Sequence, residues 1–282
     1  MTFDPAEHLA RVGQATDAPA ERLTGGYTNE VWRVGDLVVK RYDLTPRPGL
    51  FGNDPLAEAR ALVLLAPSGA APAPVHFDEQ AGVIVYRFAR GTTWDAGVER
   101  VARLLGGVHA LPGHGFRALV VDGGALLADG DRFLKIGRGS EIARVRPPSV
   151  RSGPVGRRLV HRDAGPGNLI DDGDSLVLID WQCPGAGDPV EDLAAFLSPG
   201  FQVLYGRAPL AADEEEAFLD AYPTPLVVRR LRRMRPIYDW RMAAYCGWRA
   251  ERLVGSDPAA SATYTRALDA LLAQHAATDS AS

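Results

Sequence analysis

Several features that would place a chain in a specialised class are scarce or absent in this sequence. Cysteine occurs only twice, at positions 183 and 246, so a disulfide framework is excluded, and no Cys-x-x-Cys spacing suggests zinc. No apolar run approaches the ~20 residues that a membrane-spanning helix needs. The first residues contain neither a basic nor an apolar region of the kind found in secretory signals. We therefore expect a cytoplasmic protein that does not associate with membranes.

Positive charge is also in short supply. The formal net charge is −4, so no overall field attracts nucleic acid, and we expect no nucleic-acid partner. With 46% hydrophobic and 23% charged residues, the 282-residue chain is an ordinary globular protein, long enough for two lobes. One basic stretch, residues 229–252, holds eight arginines and two acids. We interpret it as a solvated helix face; an anionic partner or an acidic surface of the protein itself are the alternatives.

The strongest chemical signal lies in residues 161–170, which have the form His-x-Asp-x-x-x-x-Asn. Asp180 follows at the end of a short predicted strand. Phosphoryl transfer needs a residue that accepts the nucleophile's proton and hard oxygen ligands for magnesium. Asp163 suits the first task, and Asn168 and Asp180 suit the second, although each residue alone could be a turn former. The intervening Gly165-Pro166-Gly167 allows the loop to double back, so that both side chains can point at one spot.

The amino-terminal part predicts antiparallel strands joined by glycine turns. Gly25 and Gly26 lie between two strand-like runs, and Gly35-Asp36 is a hairpin signal. A glycine loop between antiparallel strands can lay backbone N–H groups over phosphates, because no Cβ keeps the ligand away. A plain hairpin is the alternative interpretation of Gly25-Gly26.

A lysine and a glutamate follow this loop at positions that predict an ion pair. Lys40 ends a predicted strand, and Asp54 with Pro55 begins a helix that contains Glu58 in its first turn. We predict that Lys40 and Glu58 pair. The alternatives are a solvated strand lysine and an acid placed in the first turn by the helix dipole.

Together these motifs resemble the aminoglycoside phosphotransferase and choline kinase superfamily of small-molecule kinases. Residues 161–170 are similar to the kinase catalytic loop, and Asp180 is similar to the magnesium-binding aspartate of kinases. The run Gly-Asp-Pro-Val-Glu-Asp-Leu-Ala at 187–194 is similar to the superfamily's own pattern. The resemblance implies an α+β, bilobal, protein-kinase-like fold. It implies a small antiparallel-sheet N-lobe with one helix at 1–88 and a larger, mainly helical C-lobe at 89–282.

The resemblance also implies an activity, namely ATP- and Mg²⁺-dependent transfer of the γ-phosphate to a hydroxyl of a small molecule. Asp163 is then the catalytic base, Asn168 and Asp180 bind Mg²⁺, and Asp192 anchors the catalytic loop. The residues implied to contact ATP are Lys40, Glu58, Gly25, Gly26, Thr28, Asn29 and, at the hinge-like segment, Arg87 and Phe88. Trp181 stands where protein kinases have Phe, and no Ala-Pro-Glu segment follows, so protein-kinase activity is not expected.

The acceptor is the part that the sequence determines least. The candidate acceptors are amino alcohols such as choline or ethanolamine, aminoglycosides and other metabolites. The sequence does not decide between ATP and GTP as the nucleotide, or between a monomer and a homodimer. The few carboxylates of the Arg-rich C-terminal region favour a smaller metabolite over an aminoglycoside. Asp239 and Trp240 are candidate substrate contacts, because aromatic rings can hold a quaternary ammonium. A catalytically silent nucleotide-binding regulator of the same fold is the alternative function.

Overall fold

The computed structural model describes residues 3–23, 28–46, 48–151, 153 and 156–280, which form short strands and mostly longer helices. The strands, in chain order, are β1 (Ala20–Arg22), β2 (Glu30–Val34), β3 (Leu37–Arg41), β4 (Pro74–Asp78), β5 (Val83–Arg87), β6 (Thr92–Thr93), β7 (Arg158–Val160), β8 (Leu169–Asp171), β9 (Leu176–Leu178) and β10 (Gly185–Gly187). The α-helices are α1 (Pro5–Arg11), α2 (Pro55–Leu65), α3 (Val98–Ala110), α4 (Gly123–Asp131), α5 (Gly139–Arg144), α6 (Val190–Leu197), α7 (Pro199–Leu204), α8 (Ala212–Ala221), α9 (Pro225–Leu253) and α10 (Pro258–Ser280). Short 3₁₀ turns cover Ala66–Ser68 and Pro166–Asn168.

The chain folds as two compact units. The first unit comprises Met1–Thr93 and Leu169–Pro184, and the second comprises Trp94–Asn168 and Gly185–Ser282. In the first unit, an antiparallel sheet has the strand order β1-β2-β3-β5-β4, and a smaller antiparallel sheet has the order β6-β8-β9. The second unit is mainly helical and contains the two-stranded antiparallel pair of β10 and β7.

Strand alternation in the first unit decides which face Lys40 occupies. The hairpin between β2 and β3 turns at Gly35, whose φ of 61° is accessible to glycine at little cost, and it pairs Val34 with Leu37, as predicted. Successive side chains along a strand point to opposite faces, so Lys40 lies opposite its neighbour Val39. Val39 belongs to the buried core of this sheet, formed by Leu9, Val34, Leu37, Val39, Val83 and Val85.

Helix α2 begins where its cap predicts. The Asp54 carboxylate accepts a hydrogen bond from the Ala57 N–H at 3.0 Å, and Pro55 occupies the first turn, where its missing N–H costs nothing. Glu58 therefore falls one turn into the helix, and it lies on the same buried face as Ala61 and Leu62.

The second unit has an aromatic and aliphatic core on which its long helix α9 packs. The Phe196 and Phe218 rings stack with centroids 4.9 Å apart, and Trp94 packs edge-on against Phe196 at 5.3 Å. One stripe of α9 is buried in this core, formed by Leu231, Met234, Tyr238, Met242 and Tyr245. In the described part of the chain, no helix has the length and apolar character needed to cross a bilayer.

The arginines of α9 divide between the two interpretations. Arg232 and Arg233 are exposed, as a solvated face predicts. Arg235 instead holds Glu215 with two hydrogen bonds of 2.6 and 2.8 Å. The basic segment is therefore in part a solvated surface and in part the counter-charge of the unit's own acids.

Candidate functional site

Lys40 is the buried centre of an ion cluster in the first unit. Lys40 is 2% exposed, and its Nζ donates hydrogen bonds to Glu58 Oε2 at 2.7 Å and to Asp180 Oδ1 at 2.5 Å. The predicted Lys40–Glu58 ion pair is present in the structure. Asp180 is a second partner, which the sequence did not indicate, and we call these three residues the Lys40 triad.

The Lys40 triad holds one cation and two carboxylates, so it carries a net negative charge when all three are ionised. Burial favours a lower pKa for Lys40, but Asp180 and Glu58 outweigh it and place the pKa above its ordinary value. Burial raises the pKa of Glu58 to about 7, against the opposing effect of Lys40. The Asp180 side chain is 32% exposed, whereas the Glu58 side chain is 1% exposed. Asp180 is therefore the carboxylate that a ligand can reach.

The backbone at Asp180 is strained and is supported by its neighbour. Asp180 has a φ of 63°, in the left-handed region that only a few per cent of non-glycine residues adopt, Asp more often than most. Trp181 is fully buried, and its Nε1–H donates to the Leu178 carbonyl at 2.7 Å. This contact ties the residue after Asp180 to the end of β9 and so limits how far the carboxylate can move.

The predicted phosphate-covering loop is only partly within the described residues. Gly25 and Gly26 lie outside them, and Thr28 is half-buried. Asn29 is buried, and its amide exchanges two hydrogen bonds with Asn53, at 2.8 and 2.9 Å. The Asn29 side chain thus stabilises the end of the loop, and its predicted contact with ATP stays a prediction.

In the hinge-like segment at the end of β5, the backbone N–H groups of Arg87 and Phe88 already donate hydrogen bonds within the protein. The Arg87 N–H donates to the Ala73 carbonyl at 2.8 Å, and the Phe88 N–H donates to the Asp36 carbonyl at 2.9 Å. The Arg33 guanidinium lies over the Phe88 ring, 4.2 Å from its centroid. A predicted adenine contact from this segment must therefore use groups other than these two N–H donors.

In the second unit, Asp192 anchors the start of residues 161–170, the predicted catalytic loop. Its carboxylate is fully buried and accepts hydrogen bonds from the His161 N–H at 2.7 Å and the Arg162 N–H at 2.6 Å. The His109 ring lies 3.0 Å away through Nε2, and its Nδ1 lies 2.9 Å from the Tyr222 hydroxyl. Burial acts to raise the pKa of Asp192, but the hydrogen bonds and charge of the histidines lower it below its ordinary value.

Arg162 adopts a backbone conformation that needs such an anchor. Its φ is 76°, a region that costs a non-glycine residue roughly 1–2 kcal/mol. The side chain is buried and pairs with Glu191 at 3.4 Å, and Glu191 also accepts a 2.8 Å hydrogen bond from Arg241. The arginine of the catalytic loop therefore points into the second unit and holds the loop through Glu191.

Asp163 and Asn168 are brought together, as the motif predicts. The Asn168 amide donates to the Asp163 carbonyl at 2.8 Å and to the Tyr205 hydroxyl at 3.0 Å. The Tyr205 hydroxyl in turn donates to Asp163 Oδ1 at 3.2 Å. With its NH₂ group engaged in these two bonds, Asn168 is oriented through its amide nitrogen, and its amide oxygen is the atom that could hold a metal ion. Tyr205, which the sequence analysis missed, thus contacts two of the predicted site residues.

The two glycines of the loop make room for Tyr205. The loop turns back as predicted, with the Asn168 N–H donating to the Gly165 carbonyl at 3.0 Å, but neither Gly165 nor Gly167 has a positive φ. A Cβ at either position would instead overlap the Tyr205 ring. The ring thus lies directly on the backbone of the loop, and this close approach explains why glycine is needed at both positions.

The two predicted substrate contacts lie on α9. Asp239 pairs with Arg235 at 3.4 Å, and burial raises the pKa of Asp239 to about 6. Trp240 is 4% exposed, and its Nε1–H donates to the Ile142 carbonyl at 2.9 Å. Both side chains thus have structural partners, and their contact with an acceptor stays a prediction.

Known proteins resemble the chain both in sequence and in fold. The model of a family described as the phosphotransferase enzyme family matches residues 19–237. A probable ketoamine kinase of Thermus thermophilus is 37% identical over 108 residues, which span 38% of this chain and 38% of that protein's own length. A choline/ethanolamine kinase family protein from Mesorhizobium loti superposes with a TM-score of 0.65 at 21% identity, over 95% of this chain and 93% of that one. The gentamicin complex of APH(2″)-IIa gives a TM-score of 0.64 at 15% identity, over 96% and 97% of the two chains.

Proposed function

The chain belongs to the phosphotransferase enzyme family, and on that premise we propose that it transfers the γ-phosphate of ATP to a hydroxyl of a small molecule. The predicted superfamily and the predicted α+β kinase-like fold class are confirmed. The observation that carries the proposal is the Lys40 triad. A buried ammonium with two carboxylates is costly to desolvate and is a weak source of stability, so its retention favours a functional role.

In the proposed reaction, the first unit supplies the contacts to the nucleotide phosphates. Lys40 binds phosphate oxygens, and Glu58 fixes the ammonium from behind, where ligand and solvent do not reach. Gly25, Gly26, Thr28 and Asn29 are proposed to cover the phosphates, with Arg87 and Phe88 next to the adenine.

The second unit supplies the base. Asp163 orients the acceptor hydroxyl and takes its proton, a contribution typically worth ~10²–10⁴-fold in rate. Asp192 and His161 hold the backbone on the amino-terminal side of this residue: Asp192 accepts the N–H groups of residues 161 and 162, and the His161 ring accepts the Asp163 N–H at 3.2 Å. These bonds fix the base before the substrate arrives, which is the condition for efficient transfer from a bound nucleotide.

Asp180 in the first unit and Asn168 in the second each have oxygen atoms of the kind that Mg²⁺ binds. Both are hard oxygen donors, and Mg²⁺ in phosphoryl-transfer sites usually takes one or two carboxylates together with substrate phosphates and water. Asp180 has a carboxylate that is partly open to solvent, and Asn168 has its NH₂ group engaged in two hydrogen bonds. When bound, the ion would offset charge on the phosphate oxygens during transfer.

The acceptor is proposed only as a class, a small hydroxyl-bearing metabolite or drug. The proteins that resemble the chain act, by their descriptions, on ketoamines, choline or ethanolamine, or bind gentamicin. The proposal is tested by measuring ADP release with ATP and Mg²⁺ over a panel of ketoamines, amino alcohols, aminoglycosides and sugars. Acceptor-dependent ADP release from one class supports it.

A silent nucleotide-binding regulator is distinguished by a second measurement on the same protein. ATP at ~100 times its Kd adds ~2.7 kcal/mol to the free energy of unfolding of any protein that binds it. Such stabilisation without acceptor-dependent turnover across the panel would contradict the kinase proposal and favour the regulator.

A further inference from the structure

Tyr205 contacts both ends of the catalytic loop, although it lies far from the loop in sequence. It is 42 residues from Asp163 and 37 from Asn168. Its hydroxyl donates to the Asp163 carboxylate at 3.2 Å and accepts from the Asn168 amide at 3.0 Å. One phenolic oxygen therefore links the group assigned as the base to the group assigned as a metal ligand.

The position of Tyr205 is fixed by its ring and by the segment that follows it. Its inner face lies on the backbone at Gly165 and Gly167, where no Cβ intervenes. Two residues later, the Arg207 guanidinium donates to the Trp94 carbonyl at 3.2 Å and to the Asp95 carbonyl at 2.7 Å. These contacts fix the segment that carries Tyr205 within the second unit, so the hydroxyl has little freedom to leave the loop.

We propose that Tyr205 is a positioning residue for phosphoryl transfer, whose hydroxyl sets the orientation of both Asp163 and Asn168. This inference rests on the proposed function. The terminal torsions of Asp and Asn side chains are broad and intrinsically poorly defined. A hydrogen bond to each head group therefore selects one rotation of the carboxylate and one orientation of the amide. The Tyr205 ring also packs on Gly165 and Gly167 and so stabilises the folded-back conformation of the loop.

The direct test is Tyr205→Phe, which keeps the ring and removes the hydroxyl. We expect kcat to fall by about 10- to 100-fold, since small displacements of positioned groups have effects of this order. We expect the KM for ATP to stay at the wild-type value and the Mg²⁺ concentration for half-maximal rate to rise. The melting temperature should fall only modestly, because the Asn168 amide and the Asp163 carboxylate each lose one hydrogen bond. This combination separates a positioning role from a general loss of stability.

Tyr238→Phe is the matched control. It removes the same hydroxyl from the same unit, and the Tyr238 hydroxyl is buried with no hydrogen-bond partner among the described residues. We expect wild-type kcat and Mg²⁺ dependence from this variant. Gly167→Ala is the complementary change, because the new Cβ displaces the Tyr205 ring while the hydroxyl chemistry is retained. We expect it to reproduce the kinetic pattern of Tyr205→Phe.

Amide hydrogen exchange gives a readout that does not depend on turnover. We expect faster exchange of the backbone amides of residues 163–168, other than Pro166, in Tyr205→Phe than in the wild type or in Tyr238→Phe. Unchanged exchange in this loop together with unchanged kcat and Mg²⁺ dependence would overturn the inference. If the wild-type protein phosphorylates no acceptor, the proposed function fails, but the exchange comparison still decides whether Tyr205 orders the loop.

Discussion

Replacing Asp192 with Asn is the sharpest perturbation of the catalytic loop that keeps side-chain size. The carboxylate is fully buried and accepts the N–H groups of His161 and Arg162 at 2.7 and 2.6 Å. An amide has only one acceptor oxygen and places two donors where the other oxygen was. In either orientation, its NH₂ group therefore faces one of these backbone N–H donors.

The magnitude follows from those contacts. A hydrogen bond to a charged group contributes about 1.5–3 kcal/mol, and a buried donor left without an acceptor adds a desolvation cost of about 1–3 kcal/mol. One bond is lost and the other becomes a bond to a neutral amide, so we expect Asp192→Asn to lower the free energy of unfolding by about 3–5 kcal/mol. Arg162 also loses support for its φ of 76°. This loss is a large share of the 5–15 kcal/mol of a typical protein.

Urea denaturation followed by circular dichroism measures the effect. Asp220→Asn in α8 is the matched control, because that side chain is exposed, and we expect its midpoint to equal that of the wild type. Ordinary surface substitutions change the free energy of unfolding by about 0.5 kcal/mol or less. If Asp192→Asn lowers the free energy of unfolding by less than about 1 kcal/mol, the anchoring role is refuted.

The stability of the same variant is expected to depend on pH differently from that of the wild type. The pKa of Asp192 lies below its ordinary value of 3.8, so the stability it provides is present above pH 3.8 and is lost as the pH falls through its pKa in the folded state. The difference in unfolding free energy between wild type and Asp192→Asn should therefore shrink as the pH falls below about 4. Unfolding curves at several pH values check this, and a constant difference down to pH 2 would contradict it.

Three further changes test the remaining parts of the account. Lys40→Met leaves Glu58, whose side chain is 1% exposed, buried without its cation. The free energy of unfolding measured in urea should fall by about 3–5 kcal/mol, and the double variant Lys40→Met/Glu58→Gln should recover part of this loss. Asp180→Ala should raise the Mg²⁺ requirement in ADP-release assays while ATP alone still raises the melting temperature. Trp240→Phe leaves the Ile142 carbonyl without its donor and should cost about 1–3 kcal/mol; unchanged kcat/KM would assign Trp240 a structural role only.

The local parts of the site could be predicted from the sequence because short-range rules determine them. The cap at Asp54 sets the start of α2 and hence the position of Glu58, and strand alternation sets the face of Lys40. The five-residue spacing of Asp163 and Asn168 likewise brings the two residues together in one loop. In each case, elements a few residues long carry the information.

The parts that could not be predicted depend on contacts between distant segments or on an unusual backbone. Nothing in the local pattern pairs Asn168 with Tyr205, and the only trace of the tyrosine is the need for glycine at 165 and 167. The bond between the Asn29 and Gln182 amides spans 153 residues. The left-handed conformation of Arg162 is imposed by its buried partners, because arginine has no intrinsic preference for it.

The central claim is that Asp163 acts as the base in phosphoryl transfer from ATP, and Asp163→Ala tests it most directly. The assay compares acceptor-dependent ADP release and ATP-dependent thermal stabilisation in the wild type and this variant, with the exposed Asp220→Ala as control. We predict that Asp163→Ala keeps the stabilisation by ATP and loses at least ~10²-fold in turnover. Turnover at the wild-type rate by Asp163→Ala would contradict the account.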